Sequence, residues 1–138
     1  AYPSYTTYVT RTHRVEVQTH LIQLAQNIES FKLANNSYKG ASLSTYGGTT
    51  FPTQGKANYS ISLTDGNGLD LGADGADSQS WLLVVRPLST SRQKGDGAIS
   101  INSNGIRCWY KKNDTAKVIS SKENDGAIVP PDNCTETW

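Results

Sequence analysis

The stretch VQTHLIQLAQNIESF, from Val17 to Phe31, decides how this chain folds. Its apolar side chains stand at Val17, Leu21, Leu24, Ala25, Ile28 and Phe31. Steps of three and four residues put them on a single stripe of an α-helix. Gln18, Gln23, Gln26, Asn27, Glu29 and Lys32 fill the other faces. The segment is therefore a helix with one face to bury. Downstream, Asn35 and Asn36 are suitable stop residues and Gly40 lies outside. Upstream, the helix could begin as early as Pro3, because proline is accepted in a first turn, whereas in the middle of a longer helix it would cause a kink. The half from Tyr2 to Arg14 carries no stripe: Tyr5, Tyr8 and Val9 sit among threonines, Arg11, His13 and Arg14. This half is expected to project from the domain without a home in the monomer.

Working outward, residues 37–57 hold few long apolar side chains and read as a loop, long enough to suggest a functional or unusual packing role. Strand signals follow. Residues 58–64 alternate, with Tyr59, Ile61 and Leu63 on one face. Residues 80–88 form a more continuous apolar run, as a central strand covered by the helix requires. Residues 98–102 alternate again, Ser103-Asn104-Gly105 supplies a tight turn, and residues 106–111 return as a hairpin partner. The expected plan is α+β: helix 1–36, loop 37–57, antiparallel sheet of about four strands within 58–112, and a polar tail 113–138.

A chain of 138 residues fits one domain with one core. With 36% apolar and 18% charged residues it is neither apolar-poor nor charged enough to be disordered. The net charge of +1 supplies no global attraction to nucleic acid or anionic membrane, so any such contact needs a local patch. No run of 18 apolar residues is present, so this piece does not span a bilayer by itself. With no methionine, the chain is expected to begin partway through a gene product, after processing or truncation. Cys108 and Cys134 enclose 25 residues. On spacing alone they could be paired, which places the protein in an oxidising compartment, or simply reduced.

The opening AYPSYTTYVTR, with Pro3, Tyr5, Tyr8 and Arg11, resembles the junction in type IV pilins where the hydrophobic N-terminal helix gives way to its amphipathic continuation. The stretch LAQNIESF (residues 24–31), with Asn36-Ser-Tyr38 and Gly40 after it, is similar to PilE-like minor pilins. So are DGAISINSNG (residues 96–105) and the Cys108-Trp109 pair behind it. Residues 41–57 and 65–79 carry no such likeness.

The resemblance implies a type IV pilin fold, with the helix packed on the sheet and the C-terminal tail stapled by a Cys108–Cys134 disulfide. It implies a minor pilin that primes or joins filament assembly, supporting twitching motility, adhesion and DNA uptake. The alternatives are a DNA-binding receptor for natural transformation, the major pilin, and a pseudopilin of type II secretion. Implied partners are other major and minor pilins and the inner-membrane assembly machinery. The place is a bacterial surface pilus, reached through a periplasmic intermediate anchored by an apolar helix ahead of Ala1. Tyr5, Tyr8, Val9, Arg11 and Arg14 would then be covered by neighbouring subunits, with Arg11 and Arg14 meeting their acidic groups. No cofactor and no catalysis are expected of such a subunit.

Three sharper candidates stand beside this. Asp65, Asn67, Asp70 and Asp74 lie among glycines as weak calcium ligands, but an EF-hand needs an oxygen ligand where Leu69 stands and a closing Glu. Arg107, Trp109, Lys111 and Lys112 place cations and an aromatic on one strand, a basis for salt-dependent contact with nucleic acid. Alternation separates Arg107, Trp109 and Lys111 from Lys112, and would also let Trp109 face the core. For catalysis there are only His13 and His20, with Glu16 three residues after His13, more plausibly a surface pair than a dyad.

Overall fold

The computed structural model describes residues 3–46, 48–52, 55–65, 69–71, 79–91, 93–115, 121–122, 128–129, 134 and 138. One helix, α1 (Pro3–Asn35), runs for 33 residues, about 50 Å at the usual rise. It ends as the sequence implies. Asn36 takes a left-handed conformation (φ 62°) and its N–H bonds Lys32 O at 2.6 Å. Lys32 also stands in the last turn, where a cation complements the helix dipole.

The sheet has five strands, β1 (Thr50–Phe51), β2 (Tyr59–Thr64), β3 (Leu82–Pro87), β4 (Gly97–Asn102) and β5 (Arg107–Lys111), antiparallel in chain order. The fifth strand beyond the expected set is β1, two residues inside the loop, paired with Tyr59 and Ser60. A short 3-10 turn, Leu43–Tyr46, also shapes this loop. Further on, β6 (Ser121–Lys122) pairs with β7 (Ile128–Val129).

Strand alternation splits the sheet into two buried faces. Tyr59, Ile61, Leu83, Val85, Ile99, Ile101 and Trp109 meet Val17, Leu21, Leu24 and Ile28 of α1 in the main core. Leu82, Val84, Ala98, Cys108 and Tyr110 form the opposite cluster, against which Cys134 packs. Cys108 and Cys134 are bonded, with Cα atoms 5.7 Å apart. Trp138 Nε1 donates to Ser100 O (3.2 Å) and Cys108 O (3.1 Å), tying the last residue to the β4–β5 hairpin.

The upstream half of α1 differs from expectation from Thr10 onward. Gln93, fully buried in the turn between β3 and β4, donates to Thr10 O (3.1 Å) and to the Tyr59 hydroxyl (2.7 Å). His13 Nδ1 donates to Gln93 Oε1 at 3.2 Å, and Arg14 pairs with Asp96. These bonds are made by polar side chains, so no apolar stripe announced them.

Candidate nucleic-acid interface

Beside these bonds lies a cleft of about 460 Å³ between α1 and the turn-side ends of β4 and β5. Thr7, Thr10, Arg11 and Arg14 line it from the helix, Lys94, Gly95 and Asp96 from the turn, and Trp109, Lys111 and Lys112 from β5 and its exit. Among these lining residues five are cationic and only Asp96 is acidic. The turn is held rigidly. Asp114 accepts the N–H of Gly95 (2.7 Å) and of Gly97 (2.8 Å) on its two carboxylate oxygens.

Lys111 and Lys112 reach the same cleft because the backbone departs from a regular strand. Lys112 adopts φ 62°, its N–H bonds Asp96 O (3.2 Å), and Asn113 N bonds Tyr110 O (3.0 Å). A left-handed residue is uncommon outside glycine and here re-aims a lysine that alternation would send to the other face.

At the floor, Arg14 Nη1 donates to Asp96 Oδ1 at 2.6 Å, and the guanidinium lies 3.9 Å from the centre of the Trp109 ring. The two charged side chains are 15% and 10% exposed. Burial pushes the Asp96 carboxyl above its ordinary value, and the bond and charge of Arg14 oppose that shift only in part. Asp96 Oδ2 is buried without a hydrogen-bond partner among the described residues.

The structure thus brings Lys111 and Lys112 together and joins to them Arg11, Arg14 and Lys94. Lys94 was missed because it stands alone in a turn, far along the chain from the others. Trp109 is 9% exposed and donates through Nε1 to Asp96 O (2.9 Å), so it is part of the floor and no stacking platform for bases. Arg107 sits at the opposite end of β5, its guanidinium 5.3 Å over the Trp138 ring. Arg14, expected to meet a neighbour's acid, is instead spent on Asp96 within the chain.

Of the helix residues, Tyr8 is 66% exposed and Val9 half-buried, while the side chain of Tyr5 lies outside the described set. Val15 and Ile22, also exposed, follow Tyr8 at seven-residue intervals, a spacing that could have been read in the sequence. Of the calcium candidates, Asp65 is fully buried and its Oδ1 accepts Leu69 N at 2.8 Å, a local turn bond. Asp70 is exposed, and Asn67 and Asp74 lie outside the described residues.

The family model described as type IV minor pilin ComP, DNA uptake sequence receptor, matches residues 3–80, more than half of the chain. The chain belongs to this family. No curated protein and no solved structure matches it. The match spans α1, the loop and β2, including residues 41–57 and 65–79, where the sequence suggested no kinship. The helix on an antiparallel sheet and the Cys108–Cys134 staple accord with the type IV pilin fold. This pilin is thus a minor subunit of a type IV surface pilus, from a family of structural proteins and not of enzymes.

Proposed function

We propose that this minor pilin takes up DNA for the pilus by holding phosphates in the cleft lined by Arg11, Lys94, Lys111 and Lys112. The observation that carries the reading is the cleft itself: a receptor-family helix supplies one wall of a concave patch whose charged lining residues are five cations and one acid. With a net charge of only +1, the chain concentrates on this face a field that it lacks as a whole. Phosphate contacts made by lysine and arginine release counter-ions, so affinity must fall as salt rises.

The test is fluorescence anisotropy of a labelled duplex of about 20 base pairs against the soluble chain over a range of salt. Three or four phosphate contacts give a log–log slope of roughly −3. Lys111→Glu with Lys112→Glu should weaken binding by at least about tenfold, whereas Lys39→Glu, beyond the far end of α1, should leave it within about twofold. No binding at low salt, or equal loss in both variants, defeats the reading.

The same subunit must also enter the filament. We infer that the exposed apolar row Tyr8, Val15 and Ile22, with Val9 beside it, is covered by neighbouring pilins, while Arg11 stays with the cleft. Tyr5 belongs to the same packing helix. Before assembly, the pilin is held as an inner-membrane-anchored periplasmic intermediate from which the assembly machinery draws it. A PilE-like kinship rests on residues 24–31 and 96–105, and the whole chain, 1–138, acts as one pilin domain.

A further inference from the structure

The DNA reading leaves one group in the cleft unexplained: a nine-tenths-buried carboxylate among cations that are there to meet phosphate. We propose that Asp96 is the cleft's built-in counter-ion, holding Arg14 in reserve, and that DNA binding is coupled to the loss of its charge. This deepens the preceding proposal and rests on it.

The geometry has three parts. Asp96 Oδ1 takes the Arg14 bond at 2.6 Å, so the cation nearest the floor is neutralised inside the chain. Arg14 does not depend on Asp96 for its place, because its guanidinium lies 3.9 Å from the centre of the Trp109 ring and the helix holds its backbone. Asp96 Oδ2, by contrast, has no hydrogen-bond partner among the described residues, so half of the carboxylate is buried without compensation. A proton on that oxygen relieves the uncompensated charge. Arg14 then contributes its full charge to the cleft.

The sign follows from the surroundings. Around Asp96 stand Arg11 and Arg14 on α1, Lys94 in the turn, Lys111 and Lys112 at the exit of β5, Asp114 beyond them, and the Tyr59 hydroxyl of β2 by way of Gln93. Asp114 has both oxygens engaged by backbone N–H groups, and His13 bonds Gln93. The burial that raises the Asp96 carboxyl makes it the acid of the cleft predisposed to take up a proton. An incoming phosphate adds negative charge beside it and raises it further. DNA and proton are therefore taken up together, and affinity rises as pH falls towards the Asp96 titration.

Asp96→Asn preserves the shape and removes the charge. With the same labelled duplex of about 20 base pairs, the variant should bind about three- to tenfold more tightly than wild type near pH 7.5. The ratio between the two should shrink towards one as the pH is lowered and wild type itself becomes neutral at this position. Using the ratio cancels whatever else changes with pH in both proteins alike. Equal affinities across the range, with both chains folded, overturn the proposal while leaving the DNA reading intact. Failure of wild type to bind the duplex at all overturns both. Should Asp96→Asn fail to fold, calorimetry of the His13→Gln chain in two buffers of different ionisation enthalpy replaces it. Fractional proton uptake on binding the duplex, at some point in a series of falling pH, is the expected result, and none across the series refutes the coupling.

Discussion

Gly97 is the residue on which the cleft's geometry turns. It begins β4 at φ 108°, and a Cβ there would collide with the carbonyl oxygen of Tyr110 and stand 2.8 Å from Lys112 N. Both obstacles are backbone, so neither can move aside as a side chain would. Gly97→Ala should therefore cost about 2–4 kcal/mol of unfolding free energy in urea titration. Gly105 in the β4–β5 turn is the control. It has φ 77° but nothing within 4 Å of the point where a Cβ would stand, so Gly105→Ala bears only the left-handed backbone cost, about 1–2 kcal/mol. Equal losses would mean that the strands part easily at Gly97 and that Lys112 is not held in its unusual conformation. This is also where the sequence was least legible. Alternation is a rule for regular strands, and it misplaces Lys112 because one left-handed residue resets the side-chain direction.

At the scale of elements, legibility followed the range of the interactions. The stripe from Val17 to Ile28 and the strands around Ile61, Leu83 and Ile99 are repeats of local period, and each lies in the core where its spacing put it. The docking of Thr10, His13 and Arg14 depends on Gln93 and Asp96, about eighty residues away, and no local period encodes such pairs. The row Tyr8, Val15 and Ile22 falls between these cases. Its seven-residue spacing is visible in the sequence, but only exposures of 66%, 52% and 38% mark it as a face left open among the described residues. If neighbouring pilins cover it, Tyr8→Ala, Val15→Ser and Ile22→Ser together should cut recovery of the subunit in sheared filaments by about tenfold or more. The midpoint of thermal unfolding should move only a few degrees, since these side chains contribute little to the core. Unchanged recovery would place the filament contact on another face of the helix.

The molecule as a whole is two buried layers on one sheet, and the cleft belongs to only one of them. Trp109 closes the helix-side core and floors the cleft, while its neighbour Cys108 points into the opposite cluster and carries the bond to Cys134. The disulfide closes a loop between residues 26 apart, so replacing both cysteines by serine should lower stability by about 3 kcal/mol. The same change separates two ways of building a receptor. If phosphates are held by Arg11, Lys94, Lys111 and Lys112, duplex affinity measured well below the unfolding midpoint should stay within about twofold of wild type, because every one of these residues is positioned by α1, the β3–β4 turn and the end of β5. If affinity instead collapses in a chain that remains folded, the contacts lie on the stapled C-terminal segment, and the cleft is a structural feature of the helix–sheet joint. Measuring unfolding and binding on the same double variant therefore tells whether the staple serves only the fold or also the ligand.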